Sequence, residues 1–255
     1  KNGFHDPANG KFDFHEAYSR DVRLDTTYNY PRVWGLQKMF TPSVKTNVKV
    51  NDFPVYAKAD KPISIADLRK AYRFHYDRTS HDPYLHSNGR EPYRPVSIFR
   101  TTQTHILQVR PWLPKEIGCV NYVAFGMADL GVFLPLYQGV GSYPEAYLHG
   151  ELGSDSAYWR FRKVMTLGMT DYNALAPVIK RAYGRLEKEI DRKQAAMEKK
   201  YLELLPVDKD KAAKLLQKFS DDMFKKALDV ADSLADKLLF QMSASIQEEY
   251  LFHGA

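Results

Sequence analysis

The apolar stripe in the last helical stretch constrains this chain most: Ala212, Leu216, Phe219, Met223, Ala227, Val230, Leu234, Leu238 and Met242 recur three or four residues apart. A stripe of that length must bury against something, and a sheet of the same chain is the commonest cover. Helical sequence runs from Ala157 to the end, and Pro206-Val207-Asp208 divides it into two long packed helices. Arg160, Lys163, Arg181 and Lys188 alternate with Glu187, Glu189, Asp191 and Asp221, the pattern of a solvated outer face.

The sheet is written upstream. Val96 to Val109, Gly118 to Gly126 and Gly131 to Gln138 are rich in Val, Ile, Thr, Phe and Tyr, are separated by Pro and Gly, and predict an antiparallel meander. In the first run Ile98, Arg100, Thr102, Thr104 and Ile106 alternate with Phe99, Thr101, Gln103, His105 and Leu107, so neither face is wholly apolar and both are expected to be covered by protein. Ile63 to Tyr72 predicts a short helix, with Ser64 as cap and Asp67 in capping-box position. Turn residues crowd Asp77 to Pro95 too closely for regular structure. The expected class is α+β: a sheet-forming part over 1–156 with a turn-rich loop at 77–95, and helices over 157–255 packing on the same domain.

At 255 residues, 44% hydrophobic and 27% charged, the chain can support a core without disulfides. Its single cysteine, Cys119, cannot form an internal bridge and leaves the compartment open. The net charge of +6 suggests nucleic acid or anionic lipid, but no basic patch is interleaved with the stacking aromatics of a single-strand platform. No apolar run reaches membrane-spanning length, and the longest candidate, Val132 to Leu136, contains Pro135. Lys1 to Lys11 has neither the pattern of a signal peptide nor an initiator methionine.

Several chemistries drop out on motif grounds. There is no G-x-S-x-G elbow, no H-E-x-x-H, no paired C-x-x-C and no phosphate loop ending in Lys-Ser or Lys-Thr. His75, His81 and His86 fall in one loop, but no supporting carboxylate spacing marks them as metal ligands. Cys119, between Gly118 and Val120, reads as a small buried hydrophobe, because a nucleophilic thiolate needs a base or positive neighbour.

Specific words of the sequence then carry a resemblance. They are Tyr28-Asn29-Tyr30-Pro31-Arg32-Val33-Trp34 with Gln37; Asp82-Pro83-Tyr84; Arg94-Pro95-Val96-Ser97-Ile98-Phe99-Arg100-Thr101 with Gln103, Gln108, Arg110 and Pro111; Ile117-Gly118; Leu136-Tyr137-Gln138-Gly139; and Ser156-Ala157-Tyr158-Trp159 with Phe161-Arg162. In this order they resemble the C69 family of bacterial dipeptidases, cysteine members of the N-terminal-nucleophile (Ntn) hydrolases. The resemblance runs from about Phe12 to Ala196. It implies a four-layer αββα sandwich, to which this chain gives strands of both antiparallel sheets and outer helices.

The resemblance also implies a nucleophile that this chain does not display. The family uses a cysteine at the mature amino terminus, whereas this chain starts at Lys1 and Cys119 stands where a sheet residue belongs. The expected partner is an amino-terminal half of the same enzyme on a separate or upstream segment; a homo-oligomer is also possible, and neither metal nor organic cofactor is required. Asn29, in an Asn-x-Pro turn, is the candidate contact for the oxyanion or substrate amide, an ordinary Asx-turn being its alternative. Arg94 and Arg100 are the candidates to face the nucleophile, with Arg94 preferred. His105 and Arg110 are further candidates for substrate binding, and Asp82 or Asp77 is the candidate for the substrate's ammonium group. Two other readings stay open: a secernin-like interaction subunit without hydrolysis, and an Ntn amidase acting on acyl amides.

Overall fold

The computed structural model of the protein describes residues 22–85 and 92–249, together with 14–18 and Gly3, Asp6, Ala8, Gly10 and Phe12. Lys1, His86 and the Ser87-Asn88-Gly89 turn lie outside the described residues. The chain forms two compact units, residues 1–63 with 76–83 and 87–95, and residues 64–75 with 84–86 and 96–255.

Among its described residues the first unit holds three short helices, α1 (Phe14–Tyr18), α2 (Asp25–Tyr28) and α3 (Tyr30–Phe40). The Asn-x-Pro word opens a helix instead of making a free-standing turn. Pro31 sits in the first turn of α3, where its missing N–H costs no bond and its fixed φ already suits a helix. Thr41 ends α3 by returning its amide to Gln37 O at 2.6 Å and its hydroxyl to the same oxygen at 2.8 Å. Beyond it the Asp60 carboxylate receives the Ser43 amide at 2.9 Å and hydroxyl at 2.6 Å, and the Asp60 amide donates to Phe40 O at 3.0 Å.

The second unit begins with α4 (Ile65–Tyr72), where the predicted capping box is complete: Ser64 Oγ accepts the Asp67 amide at 3.1 Å and Asp67 Oδ2 accepts the Ser64 amide at 3.0 Å. Then come β1 (Gln103–Val109), α5 (Lys115–Gly118), β2 (Cys119–Phe125), a 3₁₀ turn at Ala128–Leu130 and β3 (Leu134–Tyr137). The strands form an antiparallel meander in the order β1-β2-β3, with Ile106 opposite Tyr122 and Tyr122 opposite Pro135.

Three helices complete this unit: α6 (Ala157–Thr170), α7 (Tyr172–Leu204) and α8 (Lys209–Glu249). The break at Pro206 falls where the sequence predicts it. A second break, between α6 and α7, is set by Asp171, whose Oδ1 caps α7 by accepting the Ala174 amide at 3.1 Å. The stripe of α8 is core: Ala212, Leu216, Phe219, Met223, Ala227, Leu234 and Leu238 are buried in one cluster with Ile106, Val120, Tyr122 and Tyr137 of the sheet.

One face of the sheet thus packs on helices. The other differs from expectation, because β1 turns Leu107 and Val109 outward, 68% and 67% exposed. Asn121 lies opposite Leu107 and Leu136, and its Oδ1 is buried without a hydrogen-bond partner. No helix among the described residues is long and apolar enough to cross a membrane.

Candidate functional site

In the first unit Asn29 stands between α2 and α3, exposed, with both ends of its amide engaged: Nδ2 donates to Asp25 Oδ1 and Oδ1 accepts from Arg32 Nη2. Arg32 is steadied further by Nε donating to Tyr28 O at 2.8 Å. No Asx-turn forms, because one helical turn separates Asn29 from Asp25 and places their side chains together.

Arg94 joins this group through its backbone and its side chain. Its amide donates to Thr27 O at 2.9 Å, and its carbonyl accepts the Tyr76 hydroxyl at 3.1 Å. Its guanidinium lies 5.0 Å from the centroid of the Tyr28 ring, a cation–π contact. Arg94 Nε is buried and has no hydrogen-bond partner. Burial, and then the Arg94 charge, pull the Arg32 pKa below its ordinary value, against a small opposing effect of Tyr76.

Tyr76 is held at φ +65° and Arg78 at φ +58°, the left-handed region that costs non-glycine residues conformational energy. The ring of Tyr76 meets Tyr93 edge-on at 5.4 Å, and Tyr93 stacks on His81 at 3.9 Å. Asp82 is buried in the same unit, its amide bonded to Thr79 O at 3.2 Å. Asn29, Asp82 and Arg94 thus belong to one unit, and Asn29 and Arg94 to one cluster.

Arg100, His105 and Arg110 belong to the second unit. Arg100 is exposed in a turn, and His105 is exposed on the open face of β1. Arg110 is committed: Nη1 and Nη2 each lie 2.7 Å from a Glu198 oxygen, and Nη2 also donates to Ile117 O at 2.5 Å. Cys119 is free and partly buried on the same sheet face as His105. Four residues of strand separate His105 from Val109, the partner of Cys119, which is about 14 Å. That spacing takes His105 out of reach as a base for this thiol.

A second polar cluster was not legible in the sequence. His75, Asp129 and Tyr172 are buried together, with Lys180 at the edge. His75 Nε2 is 3.0 Å from the Tyr172 hydroxyl and 3.6 Å from Asp129 Oδ1, and Lys180 Nζ is 2.8 Å from Asp129 Oδ2. Tyr172 also donates to Asp129 Oδ2, and the Asp129 amide donates to Ser97 Oγ at 2.8 Å. Among the described residues no group of three or more His, Cys, Asp or Glu could hold a metal ion.

The profile of peptidase family C69 matches residues 1–184. The chain belongs to this family. It is 53% identical over 154 residues to a probable dipeptidase of Salmonella dublin, covering 60% of this chain and 36% of that protein. It is 28% identical over 244 residues to dipeptidase A of Lactobacillus helveticus, covering 91% and 50%, and 28% identical over 210 residues to a probable dipeptidase of Latilactobacillus sakei, covering 80% and 42%. The chain therefore spans between a third and a half of the length of these curated relatives.

Proposed function

We propose that this C69 chain is part of a cysteine-type dipeptidase, and that the nucleophilic thiol comes from a segment outside these 255 residues. Its membership of C69, with relatives named as dipeptidases, carries the reading. The share of those relatives that the chain spans leaves room for a nucleophile elsewhere. The open face of the sheet, with Leu107, Val109 and the unpaired Asn121 Oδ1, supports it too, because a second sheet laid there would bury the leucine and valine and could supply the missing donor. The assembled fold would then be the αββα sandwich.

In this reading a terminal cysteine thiolate attacks the peptide carbonyl while its α-amino group carries the proton to the leaving amine, and water releases the acyl-enzyme. Asn29 Nδ2 is an amide donor suited to the developing oxyanion once it leaves Asp25. Arg94 supplies positive charge beside it. Arg94 fits this role better than Arg110, whose charge Glu198 already neutralises. Asp82 remains the candidate for the substrate ammonium.

The test is hydrolysis of a dipeptide panel and an acyl-amide panel by the whole protein, before and after alkylation with iodoacetamide. Dipeptide cleavage lost on alkylation of an amino-terminal cysteine is the expected result. Alkylation of Cys119 alone with loss of activity, or cleavage of acyl amides only, would overturn the assignment.

A further inference from the structure

Arg32 and Arg94 present an unusual arrangement for two arginines on one surface. Both are half-buried, both border Tyr28, and the guanidinium of each is fixed from one side only. Arg32 uses Nε on Tyr28 O and Nη2 on Asn29 Oδ1, which leaves Nη1 available. Among the described residues Arg94 makes no side-chain hydrogen bond: the Tyr28 ring covers one face of its guanidinium, and its buried Nε lacks an acceptor. The Asp25 carboxylate, which joins this cluster through Asn29, is already occupied by the Asn29 amide and by the Val22 amide at 2.9 Å.

Elsewhere among the described residues four buried or half-buried arginines are neutralised by carboxylates, while half-buried Arg162 donates instead to Phe99 O and Thr101 O. Arg69 forks onto Asp191 with both contacts at 2.9 Å, Arg73 onto Glu187, Arg110 onto Glu198 and Arg160 onto Asp232. Unlike those four, the Arg32–Arg94 pair concentrates two positive charges and several unused N–H donors where no carboxylate among the described residues answers them. A guanidinium presents paired donors that match the two oxygens of a carboxylate, and two guanidinia side by side suit one such group held between them. Burial of Arg94 Nε without a partner is costly unless an acceptor arrives from outside the cluster.

We propose that Arg32 and Arg94 form a carboxylate-binding site that takes the free α-carboxylate of a peptide substrate. That the carboxylate belongs to a dipeptide rests on the dipeptidase reading; the anion site itself does not. A site of this kind would favour very short peptides with free carboxyl termini, since the carboxylate is anchored one helical turn from Asn29.

The experiment follows the arginine Nε–Hε NMR signals of the isotope-labelled protein, isolated with any segment that accompanies it, during titration with alanyl-alanine, alanyl-alanine amide or inorganic phosphate. Alanyl-alanine is expected to shift and saturate the Arg32 and Arg94 signals, with the amide at least about tenfold weaker. Arg32→Lys and Arg94→Lys, which keep charge but lose the fork, are each expected to weaken the acid by about tenfold, and Arg32→Lys is expected to leave the amide unchanged. Equal binding of acid and amide in the unsubstituted protein, no response at either arginine, or phosphate binding as tightly as the dipeptide would overturn the site. Hydrolysis with an unchanged KM in Arg32→Lys would leave the dipeptidase reading standing and sink this one. Carboxylate binding at the pair without hydrolysis of any dipeptide would do the reverse.

Discussion

Arg73 grips Glu187 with both guanidinium ends, Nη2 2.6 Å from Oε1 and Nη1 3.1 Å from Oε2, while the Phe133 amide donates to the same Oε1 at 2.8 Å. Arg73 also donates to Ala128 O and Gly131 O, each at 3.1 Å, so one side chain ties the end of α4 to α7 and to the approach to β3. The Glu187 side chain is 7% exposed and that of Arg73 26%. Removing the arginine leaves a buried charge without its partner. Arg73→Ala is expected to lower stability by about 3–5 kcal/mol in urea unfolding; a loss below about 1 kcal/mol would show that water replaces the guanidinium.

Asp129 sets an acid-sensitive point. Burial acts to raise its pKa, but the hydrogen bond with His75 and the Lys180 charge outweigh burial and hold the carboxyl below the usual range. A carboxyl with a depressed folded-state pKa contributes stability that is complete above its unfolded value, about 3.9, and is lost as pH falls through the folded value. Unfolding free energies measured from pH 7 down to pH 3 should therefore fall below about pH 4. Asp129→Asn should flatten that part of the profile; an unaltered acid limb would place the sensitivity in other carboxylates.

The start of α4 offers a smaller, local effect. Ser64 Oγ accepts the Asp67 amide and donates to Asp67 Oδ2 at 2.7 Å. Ser64→Ala is expected to cost about 1 kcal/mol, and Ser64→Thr much less. A thermal-melting series of the two variants checks the ranking.

Gly139 is required by a close approach of backbone to backbone. A Cβ built there would lie 2.5 Å from Glu116 Cβ and 2.9 Å from Glu116 O, whose carbonyl accepts the Gly139 amide at 3.1 Å. The obstacle is mostly main chain and cannot swing aside. Gly139→Ala should destabilise by about 1–3 kcal/mol, read as a shift of the urea midpoint, whereas Gly184→Ala, where nothing lies within 4 Å, should be neutral or stabilising.

What could be read from the sequence follows the range of the interactions concerned. The α8 stripe, the Ser64 cap and the strand order depend on spacing within a few residues, and they stand in the structure as expected. The break at Asp171 was hidden inside a continuous helical composition, since its only signal is one capping carboxylate. The helix at Tyr30–Phe40 was hidden by Asn29 and Pro31, which read as a turn although Pro31 suits a first helical turn.

The site divides in the same way. Asn29 and Arg94 lie in words that resemble C69 members, so they could be named; Arg32 lies in the same word, but its pairing with Arg94 spans sixty-two positions and has no local signature. The His75–Asp129–Tyr172–Lys180 cluster draws on three separate stretches, which only tertiary packing brings together. Among the described residues one face of β1 is open, and mixed polar and apolar side chains on both faces do not say what covers them.

The measurement that bears most directly on the central claim is dipeptide hydrolysis by the 255-residue chain purified free of every other polypeptide, set beside the protein isolated with its companion segments and sequenced from each amino terminus. The chain alone is expected to show no turnover, and turnover is expected when a segment beginning with cysteine is present. Turnover by the isolated chain at the rate of the complete protein would contradict the claim.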